Sequence, residues 1–130
     1  MNEEEKIFRT GIEHFNAKEF FEAHEVWEDI WFQEVGEKRI FFQGLIQIAA
    51  GYHHMQSGNK RGALSLLQSG FEKVEPYGES YMGIELLKFL TQVKHSIKVI
   101  ESFDPLELPK FSWSLTPTIE LTSSSAETLR

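Results

Sequence analysis

The sequence has no cysteine, which excludes disulfides, thiolate metal sites and a cysteine nucleophile together. It is also short of positive charge: 13 Lys and Arg stand against 20 Asp and Glu, a formal net charge of -7. That balance argues against general nucleic-acid binding, which needs a basic stripe to displace counterions. Long apolar runs are missing too. The longest, Ile40 to Met55, is interrupted by Gln43, Gln47, His53 and His54, so no membrane span is expected. The first residues, MNEEEKIF, are acidic where a signal peptide would be basic, and a soluble, cytoplasmic protein is the expectation. Neither a phosphate-binding glycine loop nor a Ser/His/Asp nucleophile setting can be made out; GNKRGA reads as a hairpin turn with two basic residues.

What is present is helix. At 130 residues and 41% hydrophobic, the chain is long enough for one domain around a single core. Apolar periodicity predicts helix one over Glu3 to Asn16 behind an acidic first turn. Helix two is expected over Glu19 to Gln33 and helix three, apolar nearly all round, over Glu37 to Ser57. Gly58 and Asn59 form a C-cap and N-cap pair, followed by helix four over Lys60 to Glu75, which Pro76 stops. After the loop PYGESYMG, helix five is expected over Ile84 to Ser102. The predicted fold class is therefore all-α, a bundle of about five helices occupying residues 1–102. Three of the four prolines lie in FDPLELPKFSWSLTP, so residues 103–121 read as an extended arm laid on the bundle through Leu106, Leu108, Phe111 and Trp113. Residues 122–130 have little to bury and read as a disordered tail.

A repeat underlies the first four helices. Shifting the chain by about forty residues matches Gly11 to Gly51, His14 to His54 and Ala23 to Ala63, while Trp27 meets Leu67 and Trp31 meets Phe71. Two pseudo-repeated antiparallel hairpins, with helix five as a cap, account for this pattern, which is tetratricopeptide-like in its spacing of small and aromatic residues.

EAHEVWEDIW is the anomaly in that repeat. His24 and Glu28 fall on the apolar arc of helix two, beside Trp27 and Trp31, where the second hairpin has Leu64 and Gln68. On helix three, Gln43, Gln47 and His54 share one narrow arc with Ala50, flanked by Gly44 and Gly51. Small residues invite close approach by another helix, and helix two carries matching polar residues. His24, Glu28, Gln47 and His54 are thus expected to meet, with Gln43 one turn further on. Such a cluster suits a hydrogen-bonded seam that fixes helix register. It also suits a small-molecule or protein-binding site walled by Trp27 and Trp31. As a third use, His24, Glu28 and His54 are two imidazoles and a carboxylate, a ligand set for a divalent transition metal, with Glu25 as a base for a metal-dependent hydrolase or oxygenase. A pure interaction scaffold would leave the cluster as architecture, and a helical patch uncovered by helix five would favour a homodimer.

FFEAHEVWEDIW, followed by FFQGLIQIAAGYHHMQSGNKRGALSLL and PYGESYMGIELL, resembles the small helical domain of bacteria and archaea known as domain of unknown function family 309, over about Gly11 to Ile100. The resemblance implies an all-helical fold and a motif centred on His24, Glu25, Glu28, Trp31, Gly44, Gln47, His54, Gly58, Asn59 and Gly62. It implies no activity or cofactor.

Overall fold

The structure, a computed structural model, describes residues 2–122. Helix α1 runs over Glu3–Asn16, α2 over Phe20–Gln33, α3 over Lys38–Gln56, α4 over Lys60–Val74 and α5 over Leu86–Ser102. The ends follow local chemistry. Asn2 caps α1 by accepting from Glu5 N at 2.8 Å, and Asn59 caps α4 by accepting from Gly62 N at 2.9 Å. The bundle is held by an aromatic core in which Phe15 touches a ring from three other helices: Phe20 of α2 at 5.0 Å, Tyr52 of α3 at 6.0 Å and Phe89 of α5 at 5.6 Å.

The repeat is visible bond by bond. At the α1–α2 turn, Glu19 N donates to His14 O at 2.9 Å, and Lys18 N to Phe15 O at 2.9 Å. Forty residues later Asn59 N donates to His54 O at 2.9 Å, and Gly58 N to Met55 O at 3.0 Å. Both turns carry the left-handed residue that terminates a helix in this way, Lys18 with φ 65° and Gly58 with φ 78°. Glycines then set how closely each hairpin packs. A Cβ on Gly11 would meet Trp27 Nε1 at 2.1 Å, and one on Gly51 would meet Leu67 Cγ at 2.8 Å, the pairs that the forty-residue shift aligned.

Two expectations are corrected here. Helix five begins at Leu86, not Ile84, because Ser80–Tyr81 and Ile84–Glu85 pair as strands β1 and β2. Met82 (φ 49°) and Gly83 (φ 79°) make the connection, with positive φ at both central residues as a tight hairpin requires. The arm is also less extended than expected. It folds into short 3-10 helices at Pro105–Lys110 and Trp113–Leu115, the first with Asp104 and Glu107 as a capping box. Leu108, Phe111 and Ile119 are buried, but Leu106 is 90% exposed and does not anchor the arm. The end of the arm runs beside the hairpin, with Glu85 N donating to Glu120 O and Thr122 N to Gly83 O, each at 2.8 Å. The rest of the expected tail, residues 123–130, lies outside the described residues.

Candidate functional site

On α2, Phe20, Ala23, Trp27 and Ile30 point into the core, and the adjoining arc is half-buried. That arc carries His24, Glu28 and Trp31. His24 Nε2 is paired with Glu28 Oε1 one turn on, and His24 Nδ1 lies 3.3 Å from Phe21 O. The Phe21 ring sits between two imidazoles, 5.6 Å from His24 on its own helix and 5.2 Å from His53 on α3. Trp31 is roofed by Arg39, whose guanidinium carbon stands 4.1 Å from the ring centroid. The same guanidinium donates to Trp31 O at 2.9 Å and Glu34 O at 3.0 Å, tying the α2–α3 connection to the indole.

Two shielded polar atoms, one on α2 and one on α3, lack a partner. Trp31 Nε1 and Gln47 Oε1 are shielded from solvent and make no hydrogen bond among the described residues. Glu25 and Asp29 are exposed and, with His24, Val26, Glu28 and Phe32, line a shallow open cleft.

The structure divides the expected cluster. His24 and Glu28 are together, but His54 is not with them. Its Nδ1 accepts from Asn59 Nδ2 at 3.1 Å, closing the α3–α4 turn as His14 Nδ1, 2.9 Å from Glu19 Oε1, closes the α1–α2 turn. Among the described residues no three His, Asp or Glu side chains stand close enough to share a metal ion, so the expected set of His24, Glu28 and His54 is not assembled. The partner of the small residues is also corrected. Gly44 and Gly51 receive α4, not α2: a Cβ on Gly44 would lie 2.5 Å from Val74 Cγ2 and 3.0 Å from Gly70 O. This leaves no cleft at the glycines. Gln43, like Gln47, is half-buried on the arc of α3 beside this packing. Sequence reasoning missed Phe21 and His53; the Phe20–Phe21 doublet was the available signal, since adjacent residues of a helix point about 100° apart and a helix with one buried arc can leave one of them outside it.

Elsewhere, burial pushes the Tyr52 hydroxyl well above the ordinary tyrosine value, an effect that neighbouring Ser96 only partly offsets. Among the described residues no helix is long and apolar enough to cross a membrane.

Five helices in two equivalent hairpins and a cap define a small helical-repeat domain with a polar, aromatic seam on one side. Residues 8–66, which contain most of α1, all of α2 and α3 and the start of α4, match the family model described as "Domain of unknown function (DUF309)". The family resemblance read from the sequence therefore holds over that span, which includes each motif residue from His24 to Gly62 and ends short of Ile100. The chain is similar to the Bacillus subtilis (strain 168) "Uncharacterized protein YpuF", 26% identical over 106 residues, covering 75% of this chain and 60% of that protein. It is also similar to an Aquifex aeolicus (strain VF5) "Uncharacterized protein", 22% identical over 110 residues, covering 83% of this chain and 33% of that protein. The chain thus spans less than two thirds of the length of either relative.

Proposed function

We propose that the domain is a protein-docking module that presents half-buried side chains of α2 and α3, His24, Glu28, Trp31 and Gln47, to a segment of another protein. The observation that carries this reading is the pair of unpartnered atoms Trp31 Nε1 and Gln47 Oε1, which belong to half-buried side chains, unlike the unpartnered Tyr52 hydroxyl and Ser96 Oγ of the core. Buried polar atoms in folded proteins are nearly always paired, and leaving one unpaired costs about 1–3 kcal/mol. One is an obligate donor and the other an acceptor, and the polar side chains of a polypeptide offer both complements, a carbonyl or carboxylate oxygen and an N–H or O–H. Exposed aromatic rings on α2, Phe21 and Phe32, supply apolar contact area.

Other readings have less support. A small-molecule pocket would need the space at Gly44 and Gly51 that α4 fills. A transition-metal centre would need three or four donors where His24 and Glu28 supply two. The His24–Glu28 pair fits better as the brace that fixes this face of α2.

Gln47→Leu separates docking from architecture. Removing an unpaired buried amide should leave the free protein equally stable or up to about 1 kcal/mol more stable in urea. Partners recovered by affinity purification and identified by mass spectrometry should be lost from this variant. A variant destabilised by about 1–3 kcal/mol, as when a satisfied hydrogen bond is broken, with partner recovery unchanged, would make Gln47 a structural residue and end the docking reading.

A further inference from the structure

We infer that the docking partner is a basic, amphipathic helical segment that lies along the outer arc of α2; the inference rests on the docking reading above and adds the chemistry of the occupant. Between residues 19 and 37 the chain has seven acidic residues and no Lys or Arg. The cations nearest in sequence are committed: Lys18 to Trp113 O and Thr116 Oγ1, Lys38 to Glu4 at 3.3 Å, and Arg39 to the Trp31 ring and two main-chain carbonyls. Of the imidazoles against α2, His24 is paired with Glu28 and His14 with Glu19, while His53 packs on Phe21. Glu22, Glu25 and Asp29 therefore project from α2 with no cationic partner among the described residues.

The same arc exposes two rings, Phe21 at 42% and Phe32 at 68%. They are eleven residues apart, about three helical turns or roughly 16 Å, and so fall on one side of the helix. Two separated rings with unpaired carboxylates between and beside them are the complement of a helix with apolar anchors and Lys/Arg alongside. Its ammonium and guanidinium groups would meet the carboxylates, and its apolar groups the two rings. Charge also selects against other occupants. Phosphate backbones and anionic lipid surfaces would be repelled. A second copy packed two-fold through α2 would set the same acids against each other.

The test is a fluorescence-anisotropy titration of the whole protein with an eighteen-residue Leu/Lys amphipathic peptide, beside versions with Gln or Glu in place of Lys. The Lys peptide should bind, should weaken about tenfold with Phe32→Ala and by a similar factor with the exposed double variant Glu25→Lys/Asp29→Lys, and should weaken with added salt. The Glu peptide should not bind. Circular dichroism and melting of both variants should match the parent, since these side chains lie on the surface. Lys-peptide binding indifferent to both variants would be diffuse attraction and would overturn the inference. Equal binding of the Gln peptide, still lost with Phe32→Ala, would overturn the basic partner while leaving the docking face in place. Sedimentation showing a dimer abolished by Phe32→Ala would overturn it in favour of a second copy.

Discussion

At the scale of single residues, close packing and burial make the sharpest demands. A Cβ on Gly11 would penetrate the Trp27 indole, whose Nε1 already donates to Phe8 O at 3.2 Å across the α1–α2 interface. Gly11→Ala should therefore cost about 1–3 kcal/mol by urea denaturation, the range for overpacking a full core. Tyr52 makes a pH prediction. Burial holds its folded-state value above the unfolded one, so between the two the folded chain keeps a proton that the unfolded chain has released. Its contribution is present in full below pH of about 10 and is lost as pH rises towards the folded-state value, at about 1.4 kcal/mol per pH unit. Denaturant curves between pH 8 and 11 should show that fall, and Tyr52→Phe should flatten it. Residue identity was legible in part. The pattern EAHEVWEDIW marked His24 and Glu28 as out of place, and they are paired. It did not reveal that Gln47 and Trp31 would each retain an unpaired shielded atom, because that depends on side chains from separate helices.

At the scale of elements, the forty-residue repeat is a statement about turns. Both hairpin turns need a left-handed residue four positions after the repeated His (His14 and His54), and the second uses glycine where the first uses Lys18. Gly58→Ala should cost about 1–2 kcal/mol, the steric penalty for a side chain in that conformation, measurable as a shift in the urea midpoint. Lys18 keeps its place through its side chain: Nζ donates to Trp113 O at 2.5 Å and Thr116 Oγ1 at 2.7 Å, so the turn also anchors the arm. The helix limits were readable to within one or two residues because caps and apolar period are local. The β1–β2 hairpin was not, since MG became a hairpin turn only with Ile84 held against the arm at Leu121.

At the scale of the whole molecule, the arm ties the two hairpins and α5 together. Asn16 at the end of α1 grips Ile119 with both ends of its amide, donating to Ile119 O at 3.0 Å and accepting from Ile119 N at 2.8 Å. Lys60 at the start of α4 donates to the main-chain carbonyls of Glu101 and Phe103. Asn16→Ala should leave the Ile119 main chain without these bonds and cost about 1–3 kcal/mol, with faster amide exchange at Ile119 than elsewhere in the arm. The sequence by itself determined the helices, their antiparallel hairpins and the repeat, because hydrophobic period, capping residues and glycine positions act within a few residues of one another. Only the tertiary structure decided that α4 fills the glycines of α3, that His54 belongs to a turn and that the polar seam opens beside α2. A helix carries several faces, and which neighbour takes each face is settled by how all the helices fit around one core.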